Sequence, residues 1–454
     1  MNENELFAIC PLDGRYKSRS RILEETFSEA ALITYRVKVE ILWFKRLCLE
    51  SVGNLNPPDE KLEKQLDSWI SQFSVDDIKE IKSIEKETNH DVKAVEYFLK
   101  RRARESGNTF LKNHVEMFHF GCTSEDINNI AYALMLKDAR EVLLLQTDLL
   151  QKKLKVMSKR YKNVPILSHT HGQPASPSTM GKELINFQKR LMIQIDGLKE
   201  IKIKGKFNGA TGNYSAHSIA YPNIDWPKNI KRYLSSLKIE LNSHTTQIEP
   251  HDYIAELCNR INHINSILIG FTQDIWSYIS KGYFTQKNIS GEIGSSTMPH
   301  KINPINFENA EGNLGMSNSL NHFFANKLTI SRLQRDLSDS TVLRNLGLTF
   351  AYSIIAYKNI LIGLNKLDIN KHNINKDIDN SWEILAEPIQ MVARKHHIPD
   401  SYEYLKKYTR GEKVNQEIIL KIINSLNIPE SEKNNLAKLT PRKYIGYASK
   451  LCDE

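Results

Sequence analysis

From Asp126 to Lys159 the chain runs without a glycine or a proline, while apolar residues return at helical intervals: Ile127, Ile130, Leu134, Val142, Leu145, Leu149, Leu154 and Met157. A pattern of this length predicts one continuous helix. Thr123, Ser124 and Asp126 stand ahead of it as capping candidates, and Pro165 follows its end, which is the punctuation a helix needs. At 1.5 Å per residue such a helix is roughly 50 Å long.

A second segment, Asp252 to Gly282, carries Ile254, Leu257, Ile261, Ile264, Leu268, Phe271, Ile275 and Tyr278 in alternating steps of three and four, the seam of a helical bundle. Thr179 to Lys204, Asn306 to about Leu328 and Leu343 to about Leu367 complete a set of five long helices, although Gly312, Gly315, Gly347 and Gly363 weaken the pattern inside the last two. Strand-like stretches are short and few, around Lys206 to Gly212 and Asn242 to Ile248. The expectation is therefore an all-α protein in three parts. Residues 1–112 form an N-terminal helical domain, with runs at Phe27 to Leu49, Glu60 to Phe73 and Val92 to Arg104; residues 113–366 form the long-helix bundle; residues 367–454, more polar, form a C-terminal helical domain. No repeat of fixed period is present.

Composition narrows the class of function. With 40% hydrophobic and 25% charged residues over 454 positions, the chain can build a sizeable core. Its formal charge of +9 is spread among mixed acids and bases, as in DVKAVEYFLKRRARE, the look of a solvated helix face and not of a nucleic-acid stripe. Anionic small ligands are as plausible a partner. Five scattered cysteines with no Cys-x-x-Cys pair argue against a disulfide framework or a cysteine zinc site and fit a reducing compartment. The start, MNENELFAIC, lacks the basic and apolar regions of a secretory signal, and no uninterrupted apolar run reaches the ~18–20 residues of a membrane helix. A cytoplasmic protein without a membrane or nucleic-acid partner is expected.

The densest chemistry lies in GEIGSSTMPHKINPINFE, Gly291 to Glu308, most of it in a loop assigned to residues 285–305 between two long helices. Connections of that size in compact domains are commonly lids or binding loops. It has neither the glycine and lysine order of a phosphate-cradling loop nor the G-x-S-x-G of a nucleophile elbow. The run Gly294-Ser295-Ser296-Thr297-Met298-Pro299-His300-Lys301-Ile302-Asn303-Pro304 resembles the signature loop of the fumarase/aspartase superfamily, whose members eliminate fumarate from succinyl-type substrates. Six further motifs extend the resemblance along nearly the whole chain: PLDGRY (Pro11 to Tyr16), TNHDVKAVEYFL (Thr88 to Leu99), CTSEDINN (Cys122 to Asn129), THGQPASPST (Thr170 to Thr179), TTQIEPHDYIAEL (Thr245 to Leu257) and SRLQRDLSDSTVLRN (Ser331 to Asn345). His300, the PLDGRY start and the STVLRN segment look like the adenylosuccinate lyase branch in its longer bacterial-like form. His169, where close relatives often carry Arg, is a minor departure.

What the resemblance implies is cleavage of the C–N bond of a succinyl nucleotide, adenylosuccinate giving AMP and fumarate, and the succinyl-carboxamide ribonucleotide SAICAR giving AICAR. Such a β-elimination needs a base, stabilisation of a carbanion and an acid for the departing nitrogen, and calls for no metal or organic cofactor. By the same resemblance Ser295 is the base, its alkoxide stabilised by backbone N–H groups and by Lys301. Ser296 and Asn303 hold the succinyl carboxylates, His171 is the acid, and Glu308 partners its charged form. Arg15, Tyr16, Arg335, Ser340 and Arg344 meet the phosphate, guanidinium forks matching its oxygens. Asn89, His90, Asp91, Thr123, Ser124, Gln247 and Asn309 line the substrate; His90 reads equally well as a capped helix-start histidine. His169 and His171 as a metal pair lack a third ligand at suitable spacing.

Ser124 precedes the Asp126 helix and His171 follows it, whereas the family places both in one site with Ser295. The expectation is a homotetramer whose sites are shared between subunits. Three alternatives stand beside this reading: a sister lyase acting on argininosuccinate, a helical scaffold of the same fold without activity, and a basic nucleic-acid-binding protein resting only on the charge.

Overall fold

The computed structural model describes residues 3–287, 291, 297–298, 300–409 and 414–454, and Ser295 and Ser296 lie outside them. It is predominantly helical, with three two-stranded sheets among the described residues. All five long helices are present, as Ser124–Tyr161, Met180–Glu200, Asp252–Ser280, Ile305–Leu328 and Leu346–Lys366. The segment Ser338–Lys366 is apolar and long enough to cross a membrane, but 72% of its most apolar window is buried inside the protein, the burial of a core helix. The chain divides into two compact units, Met1–Gln146 with Gln194–Ser266 and Asn313–Ala356, and Thr147–Ile193 with Ile267–Gly312 and Tyr357–Glu454.

The first unit packs around the Glu29–Leu49 helix, which Ser28 caps by accepting the Ala31 N–H. Trp43 sits 4.5 Å from Phe207 and 5.4 Å from Tyr233, ring centre to ring centre, and its indole N–H donates to the Phe120 carbonyl at 2.9 Å. A wholly polar knot is buried here, where Asn265 donates to Ser317 and Ser353, and the Ser317 hydroxyl bonds those of Thr349 and Ser353, each at 2.8 Å. Small side chains here let helices approach closely. Gly347 serves the same end: a Cβ on it would stand 2.6 Å from the Cβ of Phe27.

Two strand expectations are corrected in this unit. The Lys206 to Gly212 stretch forms no strand; the strand lies just before it, as Lys204–Gly205, paired in parallel with Glu240–Leu241. Pairing stops because Asn129 takes over the backbone of Lys206, accepting its N–H at 2.8 Å and donating to its carbonyl at 2.9 Å. Asn242 extends the second strand's pairing by one bond, to the Gly205 carbonyl, and then donates its side chain to Glu249. The expected Asn242 to Ile248 strand is instead a bent connection.

The second unit contains a hairpin, β1 (Pro165–Thr170) and β2 (Gln173–Thr179), antiparallel with Thr170 opposite Gln173. Thr179 thus belongs to a strand, and the helix expected to start there begins at Met180 and stops at Glu200. A further two-stranded sheet joins Phe284–Gln286 to Leu367–Ile369. Leu167 of the hairpin is buried with Leu385, Ile389, Leu405, Ile419 and Ile423 of the C-terminal helices. Gly363 stands against Phe307, whose ring a Cβ would meet at 2.7 Å.

Candidate active site

In the first unit a cavity of about 720 Å³ gathers residues from three distant stretches of sequence: Asn89, His90 and Asp91; Ser124; and Arg335, Ser340 and Arg344. The first stretch is a corner between two helices. Asn89 ends Val75–Thr88 in the left-handed region at φ 51°, a conformation asparagine tolerates at a helix end, and His90 caps Asp91–Glu105 by accepting the Lys93 N–H on Nδ1 at 3.1 Å. The capping role of His90 and its place on the cavity wall are therefore both realised. Ser124 opens the long helix, and Asp126 one turn in accepts the Thr123 N–H at 2.8 Å.

What fixes this corner is a fully buried ion pair. Asp126 and Lys206 lie 3.0 Å apart with no exposed surface on either side chain. Isolated charges would be intolerable there, but each is saturated. The lysine also donates to the carbonyls of Gly209 at 2.9 Å and Gln247 at 2.8 Å, and the carboxylate accepts the N–H groups of Asn208 and Gly209. Gln247 is thereby held where its side-chain oxygen accepts from Arg335 at 3.4 Å.

Arg335 also donates to Glu125 and to Ser340, both at 3.2 Å. Arg344 donates to Asp91 at 3.0 Å and to Glu29 at 2.7 Å. Burial alone would raise the Asp91 carboxyl, but the charges of Arg36 and Arg344 and the hydrogen bonds from Arg36 and the Val92 N–H outweigh it and hold Asp91 below the ordinary aspartate range. Glu125 goes the other way: burial pushes it above the usual carboxylate value despite the nearby Arg335. Behind Arg335 lies Asp339, 3.7 Å from the ring of buried His251. Three guanidinium groups facing one cavity against Glu85 and Asp91 make it suited to a ligand with a strongly anionic end.

Arg15 and Tyr16 are not on this wall. They end the Pro11–Tyr16 turn, closed by the Tyr16 N–H on the Pro11 carbonyl at 2.8 Å. Their neighbours Leu12, Asp13 and Lys17 line a separate cavity of about 410 Å³, which Arg344 also touches. Thr123 and Gln247 adjoin the larger cavity without lining it. Sequence reasoning missed Arg36, Glu85, Asn128, Tyr132, Leu337, Thr341 and Asn345, which do line it. For Arg36 a signal existed: a single arginine inside the apolar run of a helix, 2% exposed in the fold, is a charge that must have a partner.

The second unit carries the remaining candidates. His171 is exposed at the tip of the hairpin, at φ 55° with Gly172 at φ 74°. Two successive residues of positive φ between paired Thr170 and Gln173 make a type I′ turn. Lys301 and Asn303 lie in the connection before the Ile305–Leu328 helix, the Lys301 N–H donating to the Met298 carbonyl at 3.0 Å. Glu308 and Asn309 occupy that helix's first turns. Glu308 accepts from the Trp276 indole at 3.1 Å and Asn309 from Asn359 at 2.5 Å. Among the described residues of one chain no hydrogen bond or ion pair joins Glu308 to His171.

Known proteins fit this arrangement. Residues 14–316 match the family described as "Lyase" and residues 331–445 the one described as "Adenylosuccinate lyase C-terminal". The chain is 52% identical to the adenylosuccinate lyase of Legionella pneumophila (strain Corby), across 99% of each chain. It is 48% identical to that of Escherichia coli (strain K12), across 100% of each. Among solved structures, a fumarate lyase from Mesorhizobium sp. BNC1 superposes with a TM-score of 0.74 at 15% identity, covering 95% of this chain and 96% of that one. The 3-carboxy-cis,cis-muconate lactonizing enzyme of Pseudomonas putida gives 0.73 at 18% identity, covering 95% of each. These last two establish the fold alone, and the expected all-α architecture of the fumarase/aspartase type holds. Sequence identity sustained from end to end, with both family matches in order, means that the chain belongs to the adenylosuccinate lyase family.

Proposed function

We propose that the protein splits adenylosuccinate into AMP and fumarate, and SAICAR into AICAR and fumarate, as a cytoplasmic enzyme of purine nucleotide synthesis. The observation that carries this reading is identity near one half to curated adenylosuccinate lyases over the full chain. The cavity supports it independently, since its guanidinium groups and Ser340 suit a nucleotide phosphate.

In this mechanism Ser295 removes the proton beside one succinyl carboxylate, Lys301 stabilises the alkoxide, and Ser296 and Asn303 hold the carboxylates as charge grows on them. His171 then gives its proton to the leaving nitrogen, and Glu308 stabilises the imidazolium. Asn89, His90, Asp91, Thr123, Ser124, Gln247 and Asn309 position the nucleotide; Arg15, Tyr16, Arg335, Ser340 and Arg344 take its phosphate. The working form is a homotetramer with sites shared between subunits. In support, Ser124 opens a continuous helix of 38 residues, and His171 comes only after that helix, in the turn of the following hairpin. The three-part division at residues 1–112, 113–366 and 367–454 belongs to the same reading.

The test offers adenylosuccinate, argininosuccinate, malate and aspartate separately to the purified protein and follows fumarate release. Release from adenylosuccinate alone is the expected outcome. Release from argininosuccinate instead would move the substrate assignment to the sister lyase, and none from any substrate by a folded protein would favour the inactive scaffold. Ser295→Ala is expected to bind adenylosuccinate and lose the chemical step, while Lys301→Ala weakens both.

A further inference from the structure

Arg335 and Arg344, on one cavity wall, are joined by a single string of polar groups whose middle members, Glu125, Asn128 and Arg36, are buried. Arg335 donates to Glu125 at 3.2 Å. Glu125 accepts in turn from the side-chain amide of Asn128 at 3.1 Å. The amide oxygen of Asn128 accepts from Nε of Arg36 at 2.9 Å, Arg36 donates to Asp91 at 2.7 Å, and Asp91 accepts from Arg344 at 3.0 Å. Positive and negative groups alternate along it. The one neutral member is Asn128, 8% exposed, between a carboxylate and a guanidinium.

That position has a narrow chemical requirement. An ionised carboxylate only accepts hydrogen bonds and a guanidinium only donates them. The group between them must donate on one side and accept on the other, over the reach of a short side chain. A primary amide does this, and in one orientation only, since turning it over would face NH₂ to guanidinium and oxygen to carboxylate. Aspartate could still accept from Arg36 but would set a second negative charge against Glu125 one helical turn away. Leucine could do neither.

We infer that Asn128 is a positioning residue of this site, locking Arg335 and Arg344 at a fixed separation so that both guanidinium groups are preorganised for the anionic end of the ligand. Preorganisation matters because a flexible arginine must give up rotamer freedom on binding, and one already held in place does not. Without the link each guanidinium keeps its nearest carboxylate but loses its register to the other. Because the string runs through Asn128 to both arginines, the effect is expected to fall on the anionic end of the substrate. The inference rests on the proposed lyase reading for the identity of that ligand.

The test compares Asn128→Asp and Asn128→Leu with wild type, using inorganic phosphate as a probe of the anionic end and fumarate as a probe of the succinyl end, both as competitive inhibitors of adenylosuccinate cleavage. Both variants are expected to weaken inhibition by phosphate on the order of tenfold, to raise KM by more than they lower kcat, and to leave inhibition by fumarate within about twofold of wild type. Asn128→Asp keeps the Arg36 bond and nearly the same volume, so it remains informative if the leucine variant does not fold. Weakening of both inhibitors together would mark a merely structural residue and overturn the inference, as would no change in either. A wild-type protein that cleaves no adenylosuccinate overturns the lyase reading itself, and this inference with it.

Discussion

At the scale of single residues, His171 shows how a catalytic assignment can be separated from a structural one. Its φ of 55° lies in the left-handed region, where most side chains are disfavoured, and Gly172 follows at 74°. Asparagine before glycine is the favoured pair for such a turn. His171→Asn is therefore expected to leave the melting temperature unchanged or slightly raised, while removal of a general acid lowers turnover by roughly 10²–10⁴-fold. Thermal unfolding and steady-state rates on one preparation check both halves. Equal activity in this variant would remove His171 from the mechanism, and a collapse in stability would show the turn needs the imidazole itself. The motif Thr170-His171-Gly172 was visible in the sequence, but its hairpin was not, because THGQPASPST has two prolines and no alternation of apolar with polar residues.

At the scale of elements, legibility followed the source of each element's stability. The five long helices draw theirs from an apolar face, which leaves a period in the sequence, and all five were found. Where stability comes from one side chain gripping backbone, no period exists, and the boundary was misread. Lys204–Gly205 ends where Asn129 replaces a neighbouring strand, and nothing near Lys206 announces that. Of the four glycines that weaken two helices in the sequence, Gly347 and Gly363, both in Leu346–Lys366, are packing features, whereas a Cβ on Gly312 or Gly315 would meet nothing within 4 Å. Part of the cavity wall escaped for a related reason: Arg36, Asn128 and Tyr132 sit on helices whose apolar periodicity hides them as interior positions.

The loop that leads into the long helix carries its own pH dependence. His119, at φ 61°, bonds buried Glu40 through Nδ1 at 2.5 Å. Burial would lower its pKa, but the charge and hydrogen bond of Glu40, with Glu96 adding and Lys93 subtracting, raise it above the ordinary value. Cys122, also facing Glu40, has its thiol pushed far up by burial and stays neutral. A histidine raised in the folded state contributes stability that is complete below its unfolded pKa of about 6.5 and is lost as pH rises through the folded value. Melting temperature is expected to fall as pH rises from about 6 into the alkaline range, and His119→Gln, which keeps a donor without the charge, is expected to flatten that slope. An unchanged slope in the variant would assign the pH dependence to other groups.

At the scale of the whole molecule, the proposed sharing of sites between subunits makes a quantitative demand. Long helices here leave large apolar side chains uncovered: Leu145, Leu149 and Val156 on Ser124–Tyr161, and Met316 and Phe323 on Ile305–Leu328. The spacings of four and seven residues put them along helix faces, as an association surface would have them. If His171 of one chain serves Ser295 of another, the two inactive variants His171→Asn and Ser295→Ala are complementary. Each lacks what the other supplies. After complete exchange of equal amounts, a site draws an intact His171 from one parent and an intact Ser295 from the other in about one case in four, so about a quarter of wild-type activity should return. A site built within one chain returns none, since every chain in the mixture is defective. Exchange itself must be followed separately, by native mass spectrometry of the two variants carrying different tags. Mixed tetramers without activity would therefore exclude shared sites, whereas activity that rises with the fraction of mixed tetramers would establish that association of these helices is a condition of catalysis.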